Sequence, residues 1–309
     1  RNRDIVDDDA IRDYLECSSR QLHSPHLLKD AQKGADLLAQ KIAEGKKIRV
    51  IGDYDIDGVN ASYILITGLR VLGAQVDHVI PDRVHDGYGM NRGMVAKALE
   101  DGVDTIVTCD NGISAAPEIA FAKESGLTVI VTDHHEVPFS LDEQGDKIYQ
   151  LPAADAIINP KQADCTYPYA GLCGAAVAWK FIQVLYENMG IPVERSFEMI
   201  VHVAFATVGD VMDLTGENRT LVKLGLQAVH ETDNPGLCAL ISQNKLEKGQ
   251  IRSWHFGFVL GPCINAGGRL DTARRSLQLL MEPSIEKASQ LAKELVELND
   301  RRKNLTLQG

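Results

Sequence analysis

The sequence predicts an α/β fold with a mostly parallel sheet and flanking helices, followed by a helical part and a long final helix. Up to about residue 160, short apolar runs alternate with helical stretches, which is typical of βαβ units. From Gly171 onward, helical periodicity continues with no strand-like run between the helices. These two observations place the sheet in the first part of the chain and helices in the second.

The expected elements follow one another in a regular order. Residues 27–45 have apolar residues at helical spacing and a terminal glycine that suits a C-cap. Strands are expected in KIRVIGD, AQVDHVIP, DTIVTCD, LTVIVTD and DAIINP, and the intervening helices in VNASYILITGLRVLG, MVAKALEDG and APEIAFAKESG. Residues 140–154 are expected to form an exposed excursion. Later helices are expected in LCGAAVAWKFIQVLYENMG, SFEMIVHVAFATVGDVM, NRTLVKLGLQAVHET and SIEKASQLAKELVELNDRRKN.

Composition narrows the class of protein. The 309 residues, 44% hydrophobic and 24% charged, suffice for one large domain or two ordinary ones. No apolar window approaches a membrane span of roughly 18 residues, and RNRDIVDDDAIRDYLEC lacks a signal-peptide core, so a cytoplasmic protein is expected. Six cysteines without a C-x-x-C pair indicate neither a zinc site nor a disulfide framework. A net charge of −11 argues against a broad basic surface for nucleic acid, although local binding stays open.

Acidic and imidazole side chains follow three of the expected strands. Asp53, Asp55 and Asp57 follow RVIG, Asp110 follows TIVTC, and Asp133, His134 and His135 follow VIVT. Because ligands bind outside the carboxyl ends of the strands in an open parallel sheet, these side chains are expected to converge at one edge.

A cluster of this kind is electrostatically unfavourable unless cations neutralise it. Carboxylate and imidazole ligands without thiolate suit Mn²⁺ or Mg²⁺, and two ions bridged by an Asp would support a phosphoryl displacement. Taken singly, DYDIDG also fits a solvated loop or a helix N-cap, CDNG a turn, and either histidine an ordinary loop position. Their joint occurrence at one edge favours the metal site.

Two later segments carry further candidates. TVGDVMDL places Asp210 in an apolar run, where a metal-facing acid is expected, with a helix cap as the alternative and Asp213 as the competing residue. GPCINAGGRLD is typical of a glycine-rich turn, in which Asn265 and Arg269 supply donors for a phosphate. GLCGA opens a helix at Gly171 and would offer N–H groups to an anion, although tight packing also explains its glycines.

In this order, DYDIDG, CDNG, DHH, NP (Asn159 and Pro160) and GDV resemble the motifs of the DHH superfamily of phosphoesterases. Within it, GDYDIDGV, TCDNGIS, TDHHE, INPK, TVGDVMDL and FVLGPCINAGGRL are most similar to the RecJ family of exonucleases specific for single-stranded DNA. The similarity extends over nearly the whole chain.

The resemblance implies a role for each residue. Asp55, Asp57, Asp110, His134 and Asp210 would coordinate two Mn²⁺ or Mg²⁺ ions, with Asp110 as the bridge. Asp53 and Asp133 would be outer ligands or would orient the imidazoles, His135 would contact the scissile phosphate or assist proton transfer, and Asn265 and Arg269 would hold the nucleic-acid backbone. The implied reaction digests single-stranded DNA from 5′ to 3′ into 5′-mononucleotides, in DNA repair and recombination. A single-stranded-DNA-binding protein and a helicase are implied partners.

The resemblance also implies a domain division and shows some departures. Residues 1–45 would be a helical lead-in, residues 46–285 the DHH catalytic domain, and residues 286–309 a linker helix. The family's DHH-associated domain and oligonucleotide-binding fold have no counterpart here, so the chain is expected to be the catalytic core of a longer protein. Ile56 stands where the family often has a smaller residue, and Gly209 and Gly268 where alanine is common; none of these removes a ligand.

Other functions stay open at this point. A sister enzyme of the superfamily would cleave short oligonucleotides or cyclic dinucleotides, and substrate length would distinguish it. A replication scaffold on the same fold need not keep its ligands, whereas every expected ligand here is chemically competent. A dinucleotide site of the Rossmann type is disfavoured, because the turn after the first strand is acidic and lacks G-x-G-x-x-G.

Overall fold

The computed structural model describes residues 7–82, 87, 89–270 and 273–308 and has one parallel sheet at its centre. Its strands and those of a separate hairpin are β1 (Lys47–Ile51), β2 (Gln75–Val79), β3 (Thr105–Cys109), β4 (Thr128–Thr132), β5 (Phe139–Leu141), β6 (Lys147–Tyr149) and β7 (Ala156–Ile158). The sheet order is β2-β1-β3-β4-β7, with every neighbouring pair parallel. The predicted parallel sheet is therefore confirmed. Its connections change direction between β1 and β3, where an open α/β sheet forms a crevice.

Helices cover both faces of the sheet and make up the second half of the chain. They are α1 (Asp8–Glu16), α2 (Ala31–Ala43), α3 (Ile56–Val71), α4 (Arg92–Glu100), α5 (Ala116–Glu124), α6 (Gly174–Asn188), α7 (Ile200–Gly209), α8 (Gly216–Ala228), α9 (Pro235–Gln243), α10 (Ser253–His255), α11 (Gly261–Leu270), α12 (Arg274–Met281) and α13 (Ile285–Gln308). Asn91 and Asn234 cap α4 and α9 by accepting a backbone N–H, as N-cap side chains do.

Strands β1, β3, β4 and β7 are buried on both faces, which explains their continuous apolar runs, whereas the edge strand β2 is partly exposed. Val50, Val107 and Ile130 face a large core built with α3 and α6, whereas Ile51, Ile106 and Val131 face a smaller core built with α4 and α5. This alternation follows from the two-residue period of a strand. It holds the strand ends, and the loops that follow them, in fixed positions.

The structure corrects one expectation and qualifies others. Residues 261–270 form helix α11 where a glycine-rich turn was expected. A Cβ at Gly268 would lie 2.4 Å from the carbonyl oxygen of Tyr54, so this glycine permits close backbone approach rather than a turn. The expected excursion contains the exposed β5–β6 hairpin. Helix α13 packs on α9, α11 and α12 through Ala288, Ala292 and Leu295, and the division into three segments stays a prediction.

No helix among the described residues is long and apolar enough to cross a membrane. All six cysteines are free thiols, in agreement with the absence of a disulfide pattern in the sequence.

A buried histidine between helices α7 and α3 makes the free energy of unfolding depend on pH. His202 in α7 is 2% exposed, stacks on Tyr63 at 3.9 Å and hydrogen-bonds through Nδ1 to Asn60 Oδ1 at 2.9 Å. Burial lowers the pKa of His202 from 6.5 to about 3. The unfolded chain therefore binds a proton below about pH 6.5 that the folded chain rejects, so stability is lost as the pH falls from there.

We expect His202→Gln to flatten this dependence. The wild type should lose up to about 1.4 kcal/mol of unfolding free energy per pH unit below its histidine midpoint through this group, and the variant should not. Urea unfolding of both proteins between pH 8 and pH 5 measures the difference. Parallel pH profiles for the two proteins would contradict the assignment.

Candidate metal centre

Acidic and imidazole side chains converge at the carboxyl end of the sheet, as predicted. Ligand atoms lie within 4.8 Å of one another in three overlapping groups: Asp53, Asp55 and Asp110; Asp57, His134 and Asp210; and Asp110, His134 and His135. Asp110 and His134 each belong to two of these groups. Ligands shared in this way would suit two neighbouring cations.

Backbone N–H groups at helix N-termini bind the carboxylates of Asp55 and Asp57. Asp55 is the N-cap of α3, and its Oδ1 accepts N–H groups from Asp57 and Gly58 at 2.9 and 3.0 Å. Asp57 is fully buried, and its carboxylate accepts the N–H groups of Gly174 and Ala175 at 2.6 and 2.8 Å. The GLCGA segment thus does offer N–H groups to an anion, and that anion is a side chain of the same chain.

Asp110 is held in an unusual backbone conformation. Its φ is +61°, in the left-handed region, which non-glycine residues seldom occupy and which is found at functional sites. Its N–H donates to the carbonyl of Thr132 at 3.0 Å. Gly174 lies so close that a Cβ there would be 2.7 Å from the Asp110 Cβ. The carboxylate is therefore fixed by packing as well as by the strand that precedes it.

Burial and mutual repulsion disfavour the ionised forms of these acids. Burial raises the pKa of Asp53 to about 7, with a further contribution from Asp55. It raises the pKa of Asp210 to about 7 and that of Asp110 well above its usual range, and in both cases Asp57 and Asp55 add to the effect. Carboxylates in this position are stabilised by bound cations, so the cluster fits a divalent metal.

The environment of His134 also fits a cation. Its Nε2 lies 3.1, 3.5 and 3.8 Å from carboxylate oxygens of Asp110, Asp57 and Asp210. Burial lowers the pKa of His134, which favours the neutral ring even though carboxylates surround it. Its Nδ1 and the Oδ1 of Asp53 are buried without a hydrogen-bond partner among the described residues. With the proton on Nδ1, the Nε2 lone pair would face carboxylate oxygens, an arrangement that a cation between them would make favourable.

Asp133 holds the double-histidine segment in place instead of joining a ligand group. Its Oδ1 lies 2.7 Å from His135 Nδ1 and accepts the N–H of His134, while its Oδ2 accepts the N–H of Ile113. Burial opposes ionisation of Asp133, but the hydrogen bond and charge of His135, together with backbone N–H groups of Ile113 and His135, lower its pKa. Burial opposes protonation of His135, but Asp133, together with the charges of Asp57 and Asp210, raises its pKa. The carboxylate thus fixes the His135 proton on Nδ1.

The loops beyond the sheet complete the centre. Asn159 donates from Nδ2 to the carbonyl of His135 at 2.9 Å, which ties the NP segment to the histidines. Asp210 is the C-cap of α7, where the helix dipole disfavours a carboxylate and therefore offers no structural reason for it. Asp213, the competing residue, belongs to none of the ligand groups found among the described residues.

Of the two residues predicted to bind substrate, Asn265 and Arg269, the structure describes the side chain of Asn265 only. Asn265 Oδ1 accepts the N–H of Ile56 at 2.8 Å, so this side chain supports the loop that carries Asp55 and Asp57. The side chain of Arg269 lies outside the part of the chain that the structure describes. A cavity of about 310 Å³ opens beside Asn265 and is lined by Tyr54, Asp55, Asp210 and Val211.

A second cavity, which the sequence did not indicate, lies on the histidine side of the centre. It has a volume of about 270 Å³ and is lined by Asn111, Ser114, Glu118, Asp133 and His135. The segment NGIS after Asp110 lines this cavity, but its sequence is also typical of a turn and therefore did not predict a cavity. The centre thus has a cavity on each side.

Two of the departures from the family pattern are in contact. A Cβ at Gly209 would lie 2.5 Å from Cδ1 of Ile56. The larger side chain at position 56 occupies the space that an alanine at position 209 would need. An alanine at position 209 would therefore require Ile56 to move.

We expect Asn265→Ala to weaken Mn²⁺ affinity about tenfold, because the α3 loop that carries Asp55 and Asp57 loses one backbone anchor. Calorimetric titration with Mn²⁺ measures the affinity. Asn244→Ala is the matched control, since this amide contacts Cys263 of α11. Equal affinities in the two variants would show that the Ile56 contact does not position the ligands.

The five-stranded parallel sheet thus carries carboxylates and imidazoles at its topological switch point. The DHH family model, N-terminal domain, matches residues 47–207, more than half of the chain. The chain therefore belongs to the DHH family, and its RecJ members are the relatives it resembles.

The single-stranded-DNA-specific exonuclease RecJ of Bacillus subtilis (strain 168) is 36% identical over 297 residues, which cover 96% of this chain and 36% of that protein. A crystal structure of exonuclease RecJ bound to manganese is 34% identical with a TM-score of 0.80, covering 92% of this chain and 68% of the other. RecJ of Thermus thermophilus in complex with Mn²⁺ is 33% identical with a TM-score of 0.75, covering 90% of this chain and 38% of the other. The chain spans about a third to a half of the length of the curated RecJ proteins it matches.

Proposed function

We propose that this chain carries the catalytic centre of a metal-dependent exonuclease that hydrolyses phosphodiester bonds in single-stranded DNA. Digestion would run from 5′ to 3′ and release 5′-mononucleotides, in DNA repair and recombination. The observation that carries the proposal is the set of three overlapping ligand groups that share Asp110 and His134. The relatives named as single-stranded-DNA-specific exonucleases, and the two RecJ structures that contain manganese, support the substrate and the metal.

Two Mn²⁺ or Mg²⁺ ions held by Asp55, Asp57, Asp110, His134 and Asp210 would supply Lewis acidity and lower the pKa of a water molecule. Asp53, which groups with Asp55 and Asp110, would be an outer ligand. The chain's own residues then orient the reactants. Asp133 holds a proton on Nδ1 of His135, and the raised pKa of this ring favours a second proton on Nε2, which would be donated to a phosphate oxygen or to the leaving group.

Substrate handling would use the two flanking cavities. Asn265 keeps the α3 loop in position beside one of them, and Arg269 would contribute a guanidinium to the nucleic-acid backbone. A single-stranded-DNA-binding protein and a helicase are the partners we propose. The site of action we propose is the cytoplasm.

The test is Mn²⁺-dependent release of mononucleotides from a 5′-phosphorylated single strand, beside a matched duplex and a dinucleotide. Preferential release from the 5′ end of the single strand would support the exonuclease. Hydrolysis of the dinucleotide alone would favour a phosphodiesterase for short substrates. Stoichiometric Mn²⁺ binding without hydrolysis of any of the three would contradict the catalytic proposal and favour a scaffold.

A further inference from the structure

A cationic cleft lies along the exposed edge strand of the sheet, away from the ligand groups. The cleft, here called the edge cleft, has a volume of about 590 Å³ and is lined by residues of β1, β2, α3, α4 and α12. Its basic residues are Arg49, Arg70, His78, Lys97 and Arg274, and its acidic residues are Asp101 and Glu282. The lining is net positive in a chain whose formal charge is −11. A concentration of cations against the overall charge indicates an anionic ligand.

The electrostatic environment of His78 is also that of a positively charged cleft. Burial lowers the pKa of His78, and the charges of Arg70, Arg274 and Arg49 lower it further, although Asp77 acts in the opposite direction. Three guanidinium groups therefore influence one point on the edge strand.

Arg49 places a fixed guanidinium behind the wall of the edge cleft. The residue is 4% exposed, and Asp77 accepts from its Nε and Nη2 at 2.7 and 2.8 Å while Asp101 accepts from Nη2 at 2.8 Å. The remaining nitrogen, Nη1, is buried without a hydrogen-bond partner among the described residues and has no surface that a ligand could contact. Arg49 therefore contributes charge to the cleft, and donors to a ligand must come from the more exposed cations of the lining.

Arg70 is the available donor of the edge cleft. It is exposed, it lies in the last turn of α3, and no described acidic side chain is within ion-pairing distance of it. Guanidinium groups bind phosphate oxygens through two parallel hydrogen bonds, which makes Arg70 suited to a phosphate group.

We propose that the edge cleft is a phosphate-binding site, occupied by a phosphate group of a nucleotide or of a DNA strand. One backbone hydrogen bond connects the wall of the edge cleft to the loop that carries Asp53. Val79 lines the cleft, and its carbonyl accepts the N–H of Gly52 at 3.1 Å, directly before Asp53. The proposal does not require metal, because none of the ligand-group residues lines the cleft.

The test measures binding with the metal centre disabled. In EDTA the carboxylates of the ligand groups repel a phosphate, so binding of a fluorescent, 5′-phosphorylated oligodeoxynucleotide reports on other sites. We expect Arg70→Ala and Arg274→Ala each to weaken this binding about three- to tenfold and to reduce its salt dependence. Arg195→Ala is the control, since this arginine is exposed and pairs with Glu198. Arg70→Lys, which keeps the charge, should recover part of the affinity.

Competition identifies the source of the phosphate. Displacement of the probe by a deoxynucleoside 5′-monophosphate, lost in Arg70→Ala, would assign the edge cleft to a free nucleotide. Displacement by an unlabelled oligonucleotide alone would assign it to the strand. Wild-type affinity in both Arg70→Ala and Arg274→Ala, with unchanged melting temperatures, would overturn the proposal. Because the assay contains no hydrolysis step, a failed nuclease assay would leave this result standing.

Discussion

Replacing Asp110 with Asn is expected to reduce Mn²⁺-dependent hydrolysis of single-stranded DNA by about a thousandfold. Asp110 contributes to two of the three ligand groups, and an amide has only one oxygen and no charge with which to bridge two cations. Single-turnover release of mononucleotides measures the chemical step. Calorimetric titration should show a reduced number of bound Mn²⁺ ions per chain.

Asp146→Asn is the matched control, because Asp146 is exposed in the β5–β6 hairpin loop and its replacement removes the same charge. It should leave both the rate and the metal stoichiometry unchanged. An Asp110→Asn variant that keeps the full number of ions and the full rate would show that Asp110 is not the bridge.

Gly174→Ala is expected to lower the same rate by about a hundredfold, although the residue carries no functional side chain. The new Cβ would lie 2.7 Å from the Asp110 Cβ and 2.8 Å from its Oδ1, so the carboxylate must move. The same residue donates its N–H to Asp57 at 2.6 Å, so a shift of the α6 terminus would disturb a second ligand. Titration with Mn²⁺ should show weakened affinity, which separates displacement of the ligands from a general loss of stability.

Gly249→Ala is the control for this substitution. A Cβ at Gly249 meets nothing within 4 Å, so the variant should keep wild-type activity and metal affinity. If Gly174→Ala lowered the melting temperature without changing Mn²⁺ affinity, the residue would matter for folding alone.

The acids and imidazoles that follow β1, β3 and β4 were predictable, because each of these strands is an apolar run that ends directly before an aspartate or a short segment containing one. The edge on which they meet followed from the parallel sheet. The partners of those acids were less predictable, because they come from distant segments. Nothing near Asp57 indicates that its carboxylate would accept N–H groups from Gly174 and Ala175, more than a hundred residues later.

The glycine-rich segment failed as a turn for a physical reason. Glycine is required both for positive φ and for close approach of two backbones, and the sequence does not distinguish these uses. In α11 the second use applies, since Gly268 packs on the carbonyl of Tyr54. The edge cleft could not be predicted from the sequence either, because Arg49, Arg70 and Arg274 come together only when β1, α3 and α12 have packed.

The ligand groups draw on loops that are far apart along the chain, from Asp53 to Asp210. The donor set therefore exists in the folded chain alone, and ions that bind it stabilise that state by mass action. An ion present at a hundredfold excess over its Kd would add about 2.7 kcal/mol to the unfolding free energy. Divalent-ion supply would then govern how long the polypeptide survives proteolysis in a cell as well as how fast it turns over.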